Sequence, residues 1–259
     1  MDIVNYLVRG LWDLSIGIQA FLIVRLTTER LVRSYPLFYS YLVLDIITSL
    51  VMVNISIESM LYTIIWTATR PFLFTLQCFT VYELHKKICD HYPGVAEYRR
   101  RLALATAVAA AVTCLIAAWP QIAHFTKPVV SYGPLLVMRI VYSSLLVFLI
   151  LLWAIVRFVD TIPVGKKHNV ALHLRLLTWY FGINSLFAIL ILSLPPALTL
   201  GLNIAMLGTT CTCLAIWLAG MTRAGEVMPP PVLLPYDPVQ IEASIKELRY
   251  KLRTLNPTV

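Results

Sequence analysis

A chain of 259 residues that is 59% hydrophobic and only 13% charged lacks the polar surface of a soluble domain, in which about 25% of residues are charged. A membrane is the solvent that such a composition fits. The formal net charge of +8 would suit nucleic acid, but its placement in loops assigns it to membrane topology, with no nucleic-acid partner.

The opening stretch MDIVNYLVRGLW carries an acid and no small-residue cleavage site, so it reads as a first retained span and not as a removable signal. A span needs about 20 mostly apolar residues at about 1.5 Å each. Seven segments meet that test: 3–25, 37–57, 60–84, 102–119, 134–158, 171–194 and 197–220. Pro36, Pro120, Pro134 and the pair Pro195 and Pro196 fall at their ends, where a missing N–H costs little. The fold class is therefore all-α, a polytopic membrane bundle of seven transmembrane helices occupying residues 1–222.

Basic residues orient it. Arg25, Arg30 and Arg33 follow span one; Lys86, Lys87, Arg99, Arg100 and Arg101 follow span three. Arg157, Lys166, Lys167 and Arg175 border the connection after span five, and Arg223, Lys246, Arg249, Lys251 and Arg253 lie in the tail. Lys127 alone stands in a loop on the other side. Lysine and arginine gather on the cytoplasmic side, which predicts the N-terminus outside and the C-terminus in the cytoplasm.

Residues 223–237, with MPPPVLLPYDP, read as a proline-rich, extended linker. Residues 238–255 then read as a cytoplasmic amphipathic helix: Asp237 is placed as N-cap, Pro238 as N1 and Gln240 as N3. Ile241, Ile245, Leu248, Leu252 and Leu255 form an a/d seam that would meet a protein partner, a second copy or the membrane surface.

Polar residues inside the spans are the candidate site. Asp13, Asp45 and Arg70 each lie about eight to ten residues from a span end, near the bilayer centre. A cation there costs at least about 2.5 kcal/mol and must find a partner inside the bundle, so Arg70 is expected to pair with Asp45 or Asp13. Arg9 lies one turn before Asp13, and Tyr41 and Ser49 lie one turn either side of Asp45. Arg139 precedes Tyr142 and Ser143 in span five; Tyr180 and Asn184 share a face of span six, and span seven offers Asn203 and Thr210. Together Arg9, Asp13, Tyr41, Asp45, Arg70, Arg139, Tyr180, Asn184 and Asn203 predict a polar cavity opening outward that binds a small ligand. The competing reading is that these groups only fix helix packing.

Catalytic chemistry is not indicated. H-E-x-x-H, G-x-S-x-G and a glycine-rich phosphate loop are absent. His85, His91, His124, His168 and His173 avoid mid-span positions, which excludes a bis-histidine haem. No lysine lies between Lys167 and Lys246, so retinal has no attachment point in span seven. Cys78, Cys89, Cys114, Cys211 and Cys213 all fall outside external loops and predict no disulfide framework. No cofactor or metal is expected.

The stretches YPLFYSYLVLD, VYELHKKICDHYPGVAEYRRR and TIPVGKKHNVALHLRLLTWYFGINSL resemble an uncharacterised group of acidobacterial seven-helix membrane proteins. The matched positions are Glu83, Tyr92, Pro93, Gly94, Asn169 and His173. The resemblance implies a bacterial cytoplasmic (inner) membrane location and supplies no reaction. The functional expectation is a non-enzymatic, sensor-like protein with a cytoplasmic partner. Its alternatives are a small secondary transporter, for which the Tyr41–Asp45 and Tyr180–Asn184 spacings hint at an internal repeat, and an accessory subunit of a membrane complex.

Overall fold

The computed structural model describes residues 2–55, 59–90, 99–123, 129–159, 168–193 and 198–227. Among them are seven long helices and no strand: α1 (Asp2–Thr28), α2 (Pro36–Met52), α3 (Met60–Cys89), α4 (Arg99–Ala123), α5 (Val129–Val159), α6 (His168–Ser193) and α7 (Thr199–Gly220). Single 3-10 turns lie at Leu31–Arg33 and Ala224–Glu226. The Tyr92-Pro93-Gly94 stretch, Lys127 and the whole a/d seam from Ile241 to Leu255 lie outside the described residues.

Five helices are long and apolar enough to cross a membrane: α1, α4, α5, α6 and α7. Helix α2 is apolar but has only 17 residues, because the chain turns at Met52–Ile55 and Asn54 bonds back to the Leu50 carbonyl. Helix α3 has 30 residues, but Arg70, Pro71 and Gln77 dilute its apolar run. The outer surface is built for lipid. Leu22 is fully buried, while Phe21 beside it is 69% exposed and Phe72, Ile116, Trp119 and Trp179 are similarly bare, a distribution that water would not tolerate over so many helices. This is a helical membrane bundle.

Helix ends follow local chemistry. Pro36 occupies the first turn of α2, where its fixed φ suits a helix start. Ser59 caps α3 by accepting from the Tyr62 amide. Pro120 and Pro134, expected at span ends, lie within α4 and α5, which run on to Ala123 and begin already at Val129. After α1 the chain reverses through Arg30, whose φ of 57° is left-handed.

Sequence neighbours pack side by side, and α7 closes back onto α1. Helix α3 reaches across to α4, α5 and α6. The core is densest at one end, called here the basal end, which carries the α1–α2 turn, the starts of α2 and α6 and the ends of α1, α3 and α7. There Leu22 and Leu26 of α1, Phe38 and Leu42 of α2, Leu84 of α3, Phe181 of α6 and Trp217 of α7 form one cluster with Tyr35. Several recur at four-residue steps, which puts them on one helix face. Lipid is as apolar as leucine, so packing and interhelical hydrogen bonds hold such a bundle together more than apolar burial does.

Candidate functional site

The basal end gathers polar groups from five parts of the chain. Pro36 has no N–H, so Leu37 and Phe38 carry the first free amides of α2, and Tyr35 offers no side-chain cap. Glu83 of α3 supplies it: Oε2 accepts from Leu37 N at 3.2 Å and Phe38 N at 3.3 Å. One turn on, Lys87 sits 4.2 Å above the Tyr35 ring and 3.9 Å from Glu226 Oε2.

Glu226 belongs to the 3-10 turn after α7. Its Oε1 accepts from Tyr35 Oη at 2.6 Å and from Asn169 Nδ2 at 3.1 Å. Asn169, at the start of α6 and fully buried, also donates to the Thr222 carbonyl at 2.7 Å and accepts from Thr222 N at 3.3 Å. Arg25 Nε donates to the Met221 carbonyl at 3.1 Å, and Glu29 accepts from Arg223 N at 3.0 Å. Burial, and then the Glu226 carboxylate, push the Tyr35 phenol far above its ordinary value, so it stays a neutral donor. The first residues of the stretch read as a linker are thus bound to the basal ends of α1 and α6 and to the α1–α2 turn. His173 packs between Tyr35, Phe38 and Trp217, at 5.4, 4.6 and 5.6 Å between ring centres. Neither of its ring nitrogens has a hydrogen-bond partner.

Nearer the middle lies a second polar group. Gln19 Nε2 donates to Asp45 Oδ2 at 2.7 Å. Gln77 Nε2 donates to Tyr41 Oη at 3.2 Å, and the Tyr41 and Tyr180 hydroxyls lie 3.5 Å apart. Asn184 is buried but donates to the Tyr180 carbonyl of its own helix at 2.7 Å.

The expected pairing of Arg70 is corrected. Among the described residues Arg70 makes no direct ion pair with Asp45 or Asp13. Its guanidinium lies 5.1 Å over the ring of Trp66, one turn back on the same helix. It is still close enough for its charge to act on Asp45 and Tyr142, and its Nε is buried without a partner. Asp45 takes the neutral amide of Gln19 instead.

Of the nine residues expected around an outward cavity, four stand apart from this group. Arg9 and Asp13 are exposed: the buried stripe of α1 runs through Ser15, Gln19, Leu22 and Leu26, and two residues of helix turn Asp13 about 200° away from Ser15. Asn203 shares the face of Leu214 but lies three turns further from the basal end and is exposed. Arg139 is half-buried and leaves Nη1 without a partner. The residues brought together are Tyr41, Asp45, Arg70 and Tyr180, with Gln19 and Gln77, which the sequence reading missed. Amides at otherwise apolar positions of α1 and α3 were the signal that could have found them. Glu226 was missed because it fell in a stretch assigned to a linker.

Comparison with protein families, curated proteins and solved structures finds no match to this chain.

Proposed function

We propose that the chain is a non-enzymatic sensor of the bacterial cytoplasmic membrane, with seven spans, its N-terminus outside and its C-terminus in the cytoplasm. In this topology the basal end is the cytoplasmic one, which agrees with Arg25, Arg30, Arg33, Lys86 and Lys87 gathering there. The short α2 spans by leaning on α1 and α3, and Arg70 in α3 tolerates the bilayer because Trp66 and the charge of Asp45 stand beside it.

The observation that carries the reading is the clasp around Glu226. Tyr35 and Asn169 donate to it and Lys87 pairs with it, so the root of the C-terminal segment registers the relative positions of the α1–α2 turn, α3 and α6. A small ligand acts at the level of Asp45 and Arg70, two opposite charges that do not meet and so keep capacity for a partner. A shift there is passed down α2 and α3 to the clasp and on to a cytoplasmic partner of the tail.

The test uses spin labels at Arg33 and Val227, both exposed, on the full chain in lipid nanodiscs. Asp45→Asn removes the mid-bundle charge, and the sensor reading expects the label-to-label distance distribution to shift. An unchanged distribution sinks it. In proteoliposomes the sensor reading expects no proton flux under a pH gradient; a flux that Asp45→Asn abolishes favours a transporter and overturns it.

A further inference from the structure

Helices α1, α2, α3, α6 and α7 surround a small space beside the mid-bundle polar group. Its volume for water-sized contents is about 20 Å³. A site needs at least roughly 10–15 Å³ to hold a water, together with two to four polar partners, so the space is large enough for one.

The wall is mostly apolar, but Gln19, Gln77 and Trp217 all line the space and are 3%, 4% and 3% exposed. Each leaves a buried polar atom without a partner: Gln19 Oε1, Gln77 Oε1 and Trp217 Nε1. Their roles are constrained. The Gln19 amide nitrogen is committed to Asp45, a carboxyl group that accepts, so its oxygen faces the other way. The indole N–H of Trp217 is a donor and nothing else. Two acceptors and one donor around a space of this size match one water, which donates twice and accepts once.

We propose that this cavity is a binding site for a single water molecule, donating to Gln19 Oε1 and Gln77 Oε1 and accepting from Trp217 Nε1. A dry cavity would leave three buried polar groups unmatched, which native structures avoid. A bound cation is disfavoured by the indole N–H. The water joins two otherwise separate chains, Asp45–Gln19 and Gln77–Tyr41–Tyr180, into one network, and ties α7 into it through Trp217. The site does not depend on the sensor reading.

The test combines two spectroscopies on the full chain in nanodiscs. Ultraviolet resonance Raman of the wild type minus Trp217→Phe isolates one indole among six tryptophans; its N–H-sensitive band should lie at the hydrogen-bonded position. In Gln77→Leu, which keeps the indole but removes an acceptor, that band should move toward the free position. Infrared difference spectra of the wild type against Gln77→Leu should contain an O–H stretch that shifts in H2-18O. A free N–H in the wild type overturns the proposal, as does a bonded one without an 18O-sensitive band. Should Trp217→Phe fail to fold, the infrared arm decides alone, since it needs only the wild type and Gln77→Leu.

Discussion

Helix α2 cannot cap itself, and the cost of removing its borrowed cap can be worked from the geometry. Glu83→Leu deletes one carboxylate oxygen that takes two backbone amides, at 3.2 and 3.3 Å. Hydrogen bonds to a charged group contribute about 1.5–3 kcal/mol each, and these lengths place both at the low end. A helix cap measured as one unit costs about 0.5–2 kcal/mol, and a negative charge at a helix start adds about 0.3–1 kcal/mol. These figures overlap, so the expected loss is about 2–3 kcal/mol. Glu83→Gln keeps an acceptor and loses the charge, for about 1 kcal/mol on the same scales. The assay is reversible unfolding in mixed detergent micelles of rising dodecyl sulfate content, followed by far-ultraviolet circular dichroism. A Leu variant within about 0.5 kcal/mol of the wild type, well below the normal range for a lost cap, would refute the reasoning. So would a Gln variant as damaging as Leu, because the acceptor would then count for nothing.

Three further outcomes are expected in the same assay. Tyr35→Phe removes the 2.6 Å bond to Glu226 but leaves Asn169 and Lys87 on that carboxylate, so it should cost about 1–2 kcal/mol and much less when Glu226 is already Ala; equal costs in both backgrounds would deny the contact. Gly225→Ala drives a Cβ into the Asn169 amide and should cost about 1–3 kcal/mol, whereas Gly220→Ala meets mainly the flexible tip of Leu172 and should cost less; the reverse order would contradict the packing. Arg30→Gly relieves a left-handed residue and should stabilise by about 1 kcal/mol; a loss would show that the arginine side chain outweighs the backbone strain.

The helices were legible because five are long apolar runs and α2 is a shorter one, and of the basal residues Glu83, Asn169 and His173 stood out in the sequence. The placing of polar residues within the bundle was not legible. Asp45 bonds to Gln19, whereas Asp13 lies six residues, about 9 Å, further along α1 and is exposed; only the buried stripe of α1 shows which way Asp13 turns. The position of Arg70 over Trp66 follows from their four-residue spacing, which puts the two on one face of α3. Pro120 and Pro134 misled because proline in a membrane helix is tolerated when neighbours compensate.

Interhelical bonds are not spread evenly. At the basal end Arg25, Glu29, Tyr35, Glu83, Asn169 and Glu226 each bond to a different element. Beyond the middle, among the described residues, the cross-helix bonds are Ser143 with Ser185 and the weak contact of Cys211 Sγ with the Leu11 carbonyl. The hydroxyls of Thr69, Thr113 and Thr209 turn back on carbonyls of their own helices, where they satisfy themselves and tie nothing together. Among the described residues, the bonds that join separate elements therefore gather around Glu83, Asn169 and Glu226, so a substitution there removes a tie between helices, whereas removing one of those threonine hydroxyls removes only a bond within its own helix.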